Sequence, residues 1–289
     1  MHHEGILIRP PSEAQSIILQ ITVGCSHNKC TCWGVYKDVR FRIRGENEID
    51  REIDFASTHC KNRKKVFLAD GDALILPQNK LEALFIKIKR RLPQVRRISL
   101  YANGRAIRSK TDQDLGRLKQ LGLDRVYLGI ESGDDSILST ICKAETSVSL
   151  AVAGKRVIDA GLFLSTTILL GIAGIKGSVP HARQTAKLLN KIKPHQIAAL
   201  TLMPLANTQL GQQIKSGLFH LPDSQAVLKE LRELIRHLDC DRVQFMANHA
   251  SNYLPISGRL KRDKDAILSR IDNAIKQKIE LIPDYLRTL

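Results

Sequence analysis

Six short apolar segments alternate with segments of helical periodicity as far as residue 202, and this alternation constrains the fold more than any other feature of the sequence. Each apolar segment is nearly continuous, which is typical of a strand that is covered on both faces. The predicted strands are Ser16–Val23, Lys65–Ala69, Arg97–Tyr101, Arg125–Glu131, Phe163–Leu170 and Gln196–Leu202. Repeated βα units predict parallel strands joined by right-handed crossovers.

The fold class that follows is α/β, with six βα units in a partial TIM-like barrel. An open, doubly wound sheet is the alternative. After residue 210 the pattern changes, and amphipathic helices are predicted over Pro222–Leu238 and Asp263–Lys278. We therefore expect a core over residues 1–210 and a C-terminal helical extension over 211–289. The chain has no low-complexity linker, so the extension is expected to pack on the core.

The formal charge of +16 indicates an affinity for anions. A basic surface attracts phosphates, nucleic acid or anionic membranes, and RNA is a possible partner. The charge is densest at 61–65, 87–97 and 259–262, next to the ends of predicted helices and strands. A solvated face of ordinary helices is the simpler explanation and is favoured over specific RNA binding.

The N-terminus lacks the basic and then apolar pattern of a signal peptide, and no apolar run approaches the roughly 20 residues of a membrane helix. We therefore expect a cytoplasmic protein that does not bind a membrane.

Three of the six cysteines, Cys25, Cys30 and Cys32, crowd into eight residues after the first predicted strand. In a reducing compartment such crowding points to metal or redox chemistry before disulfides. Thiolates suit iron–sulfur clusters, zinc or copper. A zinc site would add His27 as a fourth ligand, and a loop of thiols without a ligand is the remaining alternative. The other cysteines, Cys60, Cys142 and Cys240, are isolated and are expected to act as small apolar residues.

Unusual residues also follow the other predicted strands. In barrel enzymes the chemistry lies at the carboxyl ends of the strands, so their order predicts a site on one rim. The segments are Asp70-Gly71-Asp72, Asn103-Gly104-Arg105, Glu131-Ser132-Gly133, Gly171 with Gly174, and Met203-Pro204. Glu131 ends an apolar strand, which favours a ligand-binding carboxylate; an ion pair with a neighbouring lysine is the competing explanation. For Asp70 and Asp72 the competing explanation is a simple Asx turn.

Together these segments resemble the radical S-adenosylmethionine (SAM) superfamily. The loop Cys25-Ser-His-Asn-Lys-Cys30 with Tyr36-Lys37 resembles that of one bacterial subgroup, and so do Leu200–Pro204 and Asn248–Tyr253. The segment Tyr127-Leu-Gly-Ile-Glu-Ser-Gly133, followed by Lys143, is similar to the fourth-strand motif of a wider group that includes tRNA-modifying members.

The resemblance implies that Cys25, Cys30 and Cys32 hold a 4Fe–4S cluster and that the cluster chelates SAM. Reductive cleavage of SAM then gives a 5′-deoxyadenosyl radical, which abstracts hydrogen from an unknown substrate. An electron donor such as flavodoxin or ferredoxin is implied as well. The cofactor-binding residues implied by position are Asp70, Gly71, Asp72, Glu131, Ser132 and Gly171. No catalytic residue for the substrate is identified.

The loop departs from the subgroup pattern at one point. The subgroup spacing is C-x4-C-x2-C, whereas this chain has C-x4-C-x-C, as though Cys32 and Trp33 had exchanged places. A shift of the loop by one residue, a poorly held cluster with an outside ligand, and loss of the cluster all explain the departure. We expect the shift. A non-catalytic or RNA-binding protein with a degenerate cluster site is the alternative function.

Overall fold

The structure is a computed structural model that describes residues 3–288. The described chain divides into two compact units. The first comprises residues 3–28, 35–128 and 153–164, and the second comprises 29–34, 129–152 and 165–288.

The first unit is built on parallel strands in the order β1-β4-β5-β6. Strands β2 and β3 form a short antiparallel pair at the two ends of the loop that contains the cysteines. The elements are β1 (Ile17–Gln20), β2 (Thr22–Val23), β3 (Arg42–Ile43), α1 (Glu46–His59), β4 (Lys65–Ala69), α2 (Gln78–Arg91), β5 (Arg97–Tyr101), α3 (Gly104–Ser109), α4 (Asp112–Gln120) and β6 (Leu123–Glu131), whose last three residues belong to the second unit.

The second unit has the strand order β7-β8-β9-β10, in which β9 is parallel to β8 and β10 is antiparallel to β9. Helix α6 and strand β7 each have residues in both units. The elements are α5 (Asp135–Thr140), α6 (Ser147–Asp159), β7 (Phe163–Leu170), α7 (Gly174–Ile192), β8 (Gln196–Thr201), α8 (Gln209–Lys215), α9 (Ser224–His237), β9 (Gln244–Ala247), β10 (Ile256–Arg259) and α10 (Lys264–Ile275).

Burial explains why these segments form these elements. In β4 the run Val66–Ala69 is fully buried, as expected of a strand that is covered on both faces. Helix α2 buries a stripe at three- and four-residue spacing, made of Leu81, Leu84, Phe85 and Ile88. Helix α4 begins at a capping box in which Thr111 and Asp114 satisfy each other's backbone N–H groups.

The predicted α/β fold class with parallel strands is confirmed. β4, β5 and β7 have the predicted bounds, and β1 is shorter than predicted at Ile17–Gln20. The C-terminal region has the two predicted helices, α9 and α10, and also two strands that the sequence analysis does not predict. The boundary at residue 210 stays a prediction. Within residues 3–288, every helix is too short or too polar to cross a bilayer.

Candidate functional site

The turn Asp70-Gly71-Asp72 follows β4 in the first unit, and its first residue has a left-handed backbone with φ of 79°. The Asp70 side chain is inside the fold: its Oδ2 accepts hydrogen bonds from Gln20 Nε2 at 2.8 Å and from the Gly24 N–H at 3.2 Å. Burial raises the pKa of Asp70, while these donors oppose the rise. Asp70 therefore ties the turn to the loop that carries Cys25.

Asp72, like Asp70, is a buried carboxylate of which only one oxygen has a hydrogen-bond partner. Its Oδ2 accepts hydrogen bonds from Ser26 Oγ at 2.8 Å and from Asn103 Nδ2 at 2.7 Å. Its Oδ1 has no hydrogen-bond partner among the described residues. Burial is the main cause that raises the pKa of Asp72 to about 6. A buried carboxylate oxygen without a partner is costly, and a cationic ligand would remove that cost.

Gly71 lets the turn approach the cysteine loop closely. Its N–H donates to the Gly24 carbonyl at 3.2 Å. A Cβ at position 71 would lie 2.9 Å from the Cβ of Cys25, which is closer than real Cβ contacts allow. Cys25 itself is half-buried. The predicted residues Cys25, Asp70, Gly71 and Asp72 are therefore brought together within the first unit.

Cys30 and Cys32 belong to the second unit and are placed differently from each other. Cys32 is 4% exposed and packs in an apolar cluster with Ile141, Ile172, Leu202 and Leu210. Cys30 is half-buried and packs against the same cluster. Burial, with a smaller contribution from Glu131, raises the pKa of Cys32 to about 12. At neutral pH Cys32 is therefore a protonated thiol.

Backbone hydrogen bonds hold the segment around Cys32 in place. The Thr31 N–H donates to the Ile141 carbonyl, and the Thr31 carbonyl accepts from the Leu210 N–H, both at 3.0 Å. Asn207 Nδ2 donates to the Gly34 carbonyl at 2.9 Å. A Cβ at position 34 would collide with the Asn207 side chain and would lie 2.8 Å from Thr208 Cγ2. These contacts hold the segment 29–34 in its observed register.

Glu131 ends β6 with a left-handed backbone, φ 63°, and forms an ion pair with Lys143 Nζ at 2.9 Å. Burial alone would lower the pKa of Lys143, but the charges of Glu131 and Cys30 raise it. The pairing with a lysine, which the sequence analysis keeps as the competing explanation, is thus present. Ser132 is fully buried, and its Oγ accepts a hydrogen bond from the Asp134 N–H at 3.0 Å.

A buried carboxylate that the sequence analysis misses holds the turn after β7. The Gly171 N–H donates to Glu230 Oε1 at 2.9 Å, and Ser178 Oγ donates to Glu230 Oε2 at 2.6 Å. His181 Nδ1 lies 3.1 Å from Glu230 Oε1, and both side chains are almost completely buried. Gly171 has φ of 84°, so a residue with a Cβ would be strained there. The only sequence signal for Glu230 is its place beside the apolar stripe of α9.

Comparison with known protein families assigns residues 19–189 to one family model, that of the radical SAM superfamily. The chain belongs to the radical SAM superfamily. The match covers more than half of the chain and includes the cysteine loop, the turn after β4 and the end of β6. The subgroup suggested by the cysteine loop stays a prediction. No curated protein matches the sequence.

Several solved radical SAM structures have a similar fold. The methyltransferase TsrM from Kitasatospora setae, solved with cobalamin and a [4Fe–4S] cluster, is 15% identical with a TM-score of 0.56, and the match covers 69% of this chain and 39% of TsrM. Methylornithine synthase (PylB) is 11% identical with a TM-score of 0.58, covering 88% of this chain and 68% of PylB. The [FeFe]-hydrogenase maturase HydG is 15% identical with a TM-score of 0.55, and the match covers 88% of this chain and 54% of HydG.

At these identities the likeness shows the fold, and it confirms the predicted TIM-like class. The chain spans about two-fifths of the length of TsrM. A second TsrM structure holds tryptophan and a SAM analogue. The predicted cofactor class, a 4Fe–4S cluster with SAM, is thus confirmed for this superfamily.

The residues of this chain fit these cofactors unequally. The buried Asp72, with one carboxylate oxygen lacking a partner, fits a cationic group such as the ammonium of SAM. Cys25 and Cys30 are half-buried, as accessible ligands must be, whereas Cys32 lies inside an apolar cluster and does not fit. Among residues 3–288, no three Cys, His, Asp or Glu side chains are grouped so that they could hold a metal ion.

Proposed function

We propose that this chain binds SAM and cleaves it reductively in order to abstract hydrogen from a substrate that remains to be identified. The observation that carries the proposal is the Asp72 carboxylate, which is fully buried after β4 and has one oxygen without a partner. A site of this kind is expected where a cationic ligand completes the electrostatics.

Asp72 would hold the ammonium group of SAM. Ser26 and Asn103 donate to Oδ2 and so orient the carboxylate, which leaves Oδ1 for the ligand. Gly71 and Asp70 keep the turn against the loop of Cys25. Because the carboxylate is oriented before binding, little side-chain entropy is lost when the ligand arrives.

The resemblance assigns roles to three further residues. Glu131 and Ser132 are proposed to face the ribose and the methionine part of SAM, and Lys143 holds Glu131 in one orientation. Gly171 is proposed to let the backbone approach the adenine, with Glu230 fixing its N–H. These roles follow the family motif position by position.

Cys25 and Cys30 are the proposed cluster ligands in this loop. When bound, the cluster supplies the electron that breaks the sulfonium bond of SAM, and a donor such as flavodoxin or ferredoxin would reduce it. The protein's own part is to bind, orient and desolvate SAM at the carboxyl ends of the strands.

The test measures SAM binding and 5′-deoxyadenosine formation by the anaerobically reconstituted, reduced protein. Asp72→Asn should weaken SAM binding strongly and lower 5′-deoxyadenosine formation with it. Asp265→Asn is the control, because Asp265 is an exposed carboxylate on α10. The proposal fails if the wild type neither binds SAM nor forms 5′-deoxyadenosine.

RNA binding is a second candidate, favoured by the distribution of charge in the first unit. Residues 61–97 contain eleven Lys and Arg against three acidic residues, and two of the three, Asp70 and Asp72, are buried. The Arg96 N–H donates to the Lys64 carbonyl at 2.9 Å, which joins the segments that precede β4 and β5. Seven of the eleven cations are exposed, and we call them the basic face: Lys61, Arg63, Lys64, Lys80, Lys89, Arg90 and Arg96.

This candidate is tested with a fluorescein-labelled RNA hairpin over a series of salt concentrations. Lys64→Glu with Arg96→Glu should weaken binding and reduce the salt dependence, since each lost phosphate contact lowers the slope by about one. Lys229→Glu with Lys278→Glu reverses two exposed cations outside the basic face and is the control. Equal loss in both pairs would indicate a general effect of net charge.

A further inference from the structure

The adjacent residues Cys32 and Trp33 differ in burial, and this bears on how many cluster ligands the chain has. We infer that Cys32 is a core residue, that Trp33 occupies the position of the third cluster ligand, and that the loop supplies two cysteine ligands only. The inference rests on the proposed function, because it concerns the cluster assigned there to Cys25 and Cys30.

The first argument is the surroundings of Cys32. Its side chain is 4% exposed and belongs to an apolar cluster with the side chains of Ile141, Ile172, Leu202 and Leu210. A thiol among such neighbours behaves as a small apolar group. If its sulfur moved to an iron atom, the Cys32 side chain would leave the apolar cluster and a cavity would remain there, which carries a free-energy cost.

The second argument is the register of the segment. For Cys32 to take the next position along the loop, Trp33 would have to move into the place of Gly34. That place has no room for a Cβ beside Asn207 and Thr208. The shift would also break the paired hydrogen bonds of Thr31 with Ile141 and Leu210. The one-residue shift expected from the sequence would therefore force Asn207 and Thr208 to move and break the hydrogen bonds of Thr31.

The third argument is the alternation of burial along the segment. Cys32 and Gly34 are buried, whereas Trp33 between them is half-buried, like Cys25 and Cys30. Trp33 is not among the residues of the apolar cluster that contains Cys32, so a residue at position 33 lies outside that cluster. In the loop that this segment resembles, the aromatic residue takes the position of Cys32 and the cysteine takes that of Trp33. The exchange therefore puts the thiol in the apolar place and the indole in the ligand place.

If only two cysteines of the chain hold the iron–sulfur cluster, the iron that a third cysteine would bind needs a ligand from solution. A small-molecule thiolate is the chemical class that suits this iron. We expect the wild type to lose iron during gel filtration in thiol-free buffer and to retain more when dithiothreitol is present. Trp33→Cys should retain severalfold more iron than the wild type without added thiol.

The decisive comparison is iron and sulfide content after anaerobic reconstitution and gel filtration, for Cys32→Val, Trp33→Cys and the double variant. Cys32→Val should hold as much iron as the wild type, and the double variant should hold as much as Trp33→Cys. Cys30→Ser is the ligand control and should lose iron. Circular dichroism of each variant confirms that it is folded.

A second measurement needs no cluster. In the apo protein, alkylation followed by peptide mass spectrometry should label Cys25 and Cys30 within the native state and Cys32 only after unfolding. Loss of iron in Cys32→Val to the level of Cys30→Ser, no gain in Trp33→Cys, or native labelling of Cys32 would each overturn the inference. SAM binding is measured on the same samples, so failure of the proposed function is recognised separately: no variant then binds SAM, whatever its iron content.

Discussion

The turn at residues 70–72 and the segment at residues 29–34 belong to different units and treat their functional side chains in opposite ways. The turn carries Asp72 as a buried carboxylate with an oxygen left without a partner. The segment carries Cys32 inside an apolar cluster, where it is 4% exposed. A chain that keeps a costly unsatisfied carboxylate indicates a ligand there. A thiol that packs well indicates only a core.

The largest expected effect comes from removing the charge of Asp72. Asp72→Asn should weaken SAM binding by about 2–5 kcal/mol, the usual loss when one partner of a buried charged pair is truncated. Asp70 likewise has one oxygen, Oδ1, without a partner, so Asp70→Asn is the matched comparison. It should weaken SAM binding less, because the proposal assigns the ammonium group to Asp72. Isothermal titration calorimetry with SAM checks both. If Asp72→Asn bound SAM as tightly as the wild type does, the turn would not be a ligand site and would not differ from the segment 29–34 in this respect.

The two close glycines sharpen the comparison next. Gly34→Ala should destabilise the protein by about 1–3 kcal/mol, as overpacking does, because the added Cβ meets Asn207 and Thr208. Gly71→Ala should reduce SAM affinity as well as stability, since it separates the turn from Cys25. Urea unfolding and SAM titration of both variants provide the test, with Gly116→Ala as the control because nothing lies within 4 Å of its Cβ position. SAM affinity that falls equally in Gly34→Ala and Gly71→Ala contradicts this distinction.

Substitutions of Cys32 should have a smaller effect, which is on the stability of the protein. Cys32→Ser puts a hydroxyl into the apolar cluster and should cost about 1–3 kcal/mol of unfolding free energy. Cys32→Val keeps the place apolar and should cost less than about 1.5 kcal/mol. Cys25→Ser should leave the stability of the apo protein almost unchanged, because Cys25 is half-buried. A serine at position 32 that is as stable as valine would mean that water reaches this place.

The smallest effect is the pH dependence of SAM binding. The pKa of Asp72 in the folded protein is about 6, above its ordinary value, so the carboxyl becomes protonated as the pH falls through 6. Protonation removes the charge that attracts the ammonium, and affinity should fall by about tenfold for each pH unit below 6. Without ligand the sign is opposite: burial of the ionised group destabilises the folded protein by its full amount above pH 6, and this cost declines as the pH falls from 6 to the unfolded pKa of the carboxyl, below which it is absent. Asp72→Asn should flatten both profiles.

The strands could be predicted from the sequence because each is a continuous apolar run between turn signals. Phe163–Leu170 has its predicted bounds. Gln244–Ala247 and Ile256–Arg259 could not be predicted, because strands of four residues that include Gln, Ser, Gly and Arg lack a readable period.

The candidate site divides in the same way. The sequence marks Asp72 and Glu131 as unusual because they follow apolar strands. It does not reveal that Ser26 and Asn103 satisfy one oxygen of Asp72, since these partners lie 46 and 31 residues away along the chain. The burial of Cys32 is hidden too, because a cysteine serves equally as ligand and as core residue.

Glu230 has a consequence for how the chain could be shortened. This carboxylate, carried by α9, is the acceptor for the Gly171 N–H and for Ser178, and it lies beside His181. A truncated chain that stopped before α9 would leave these buried groups without their acceptor, at a cost of about 1–3 kcal/mol each. The turn after β7 therefore depends on α9 for its hydrogen bonds. Shortened versions of the chain should retain the region after residue 210.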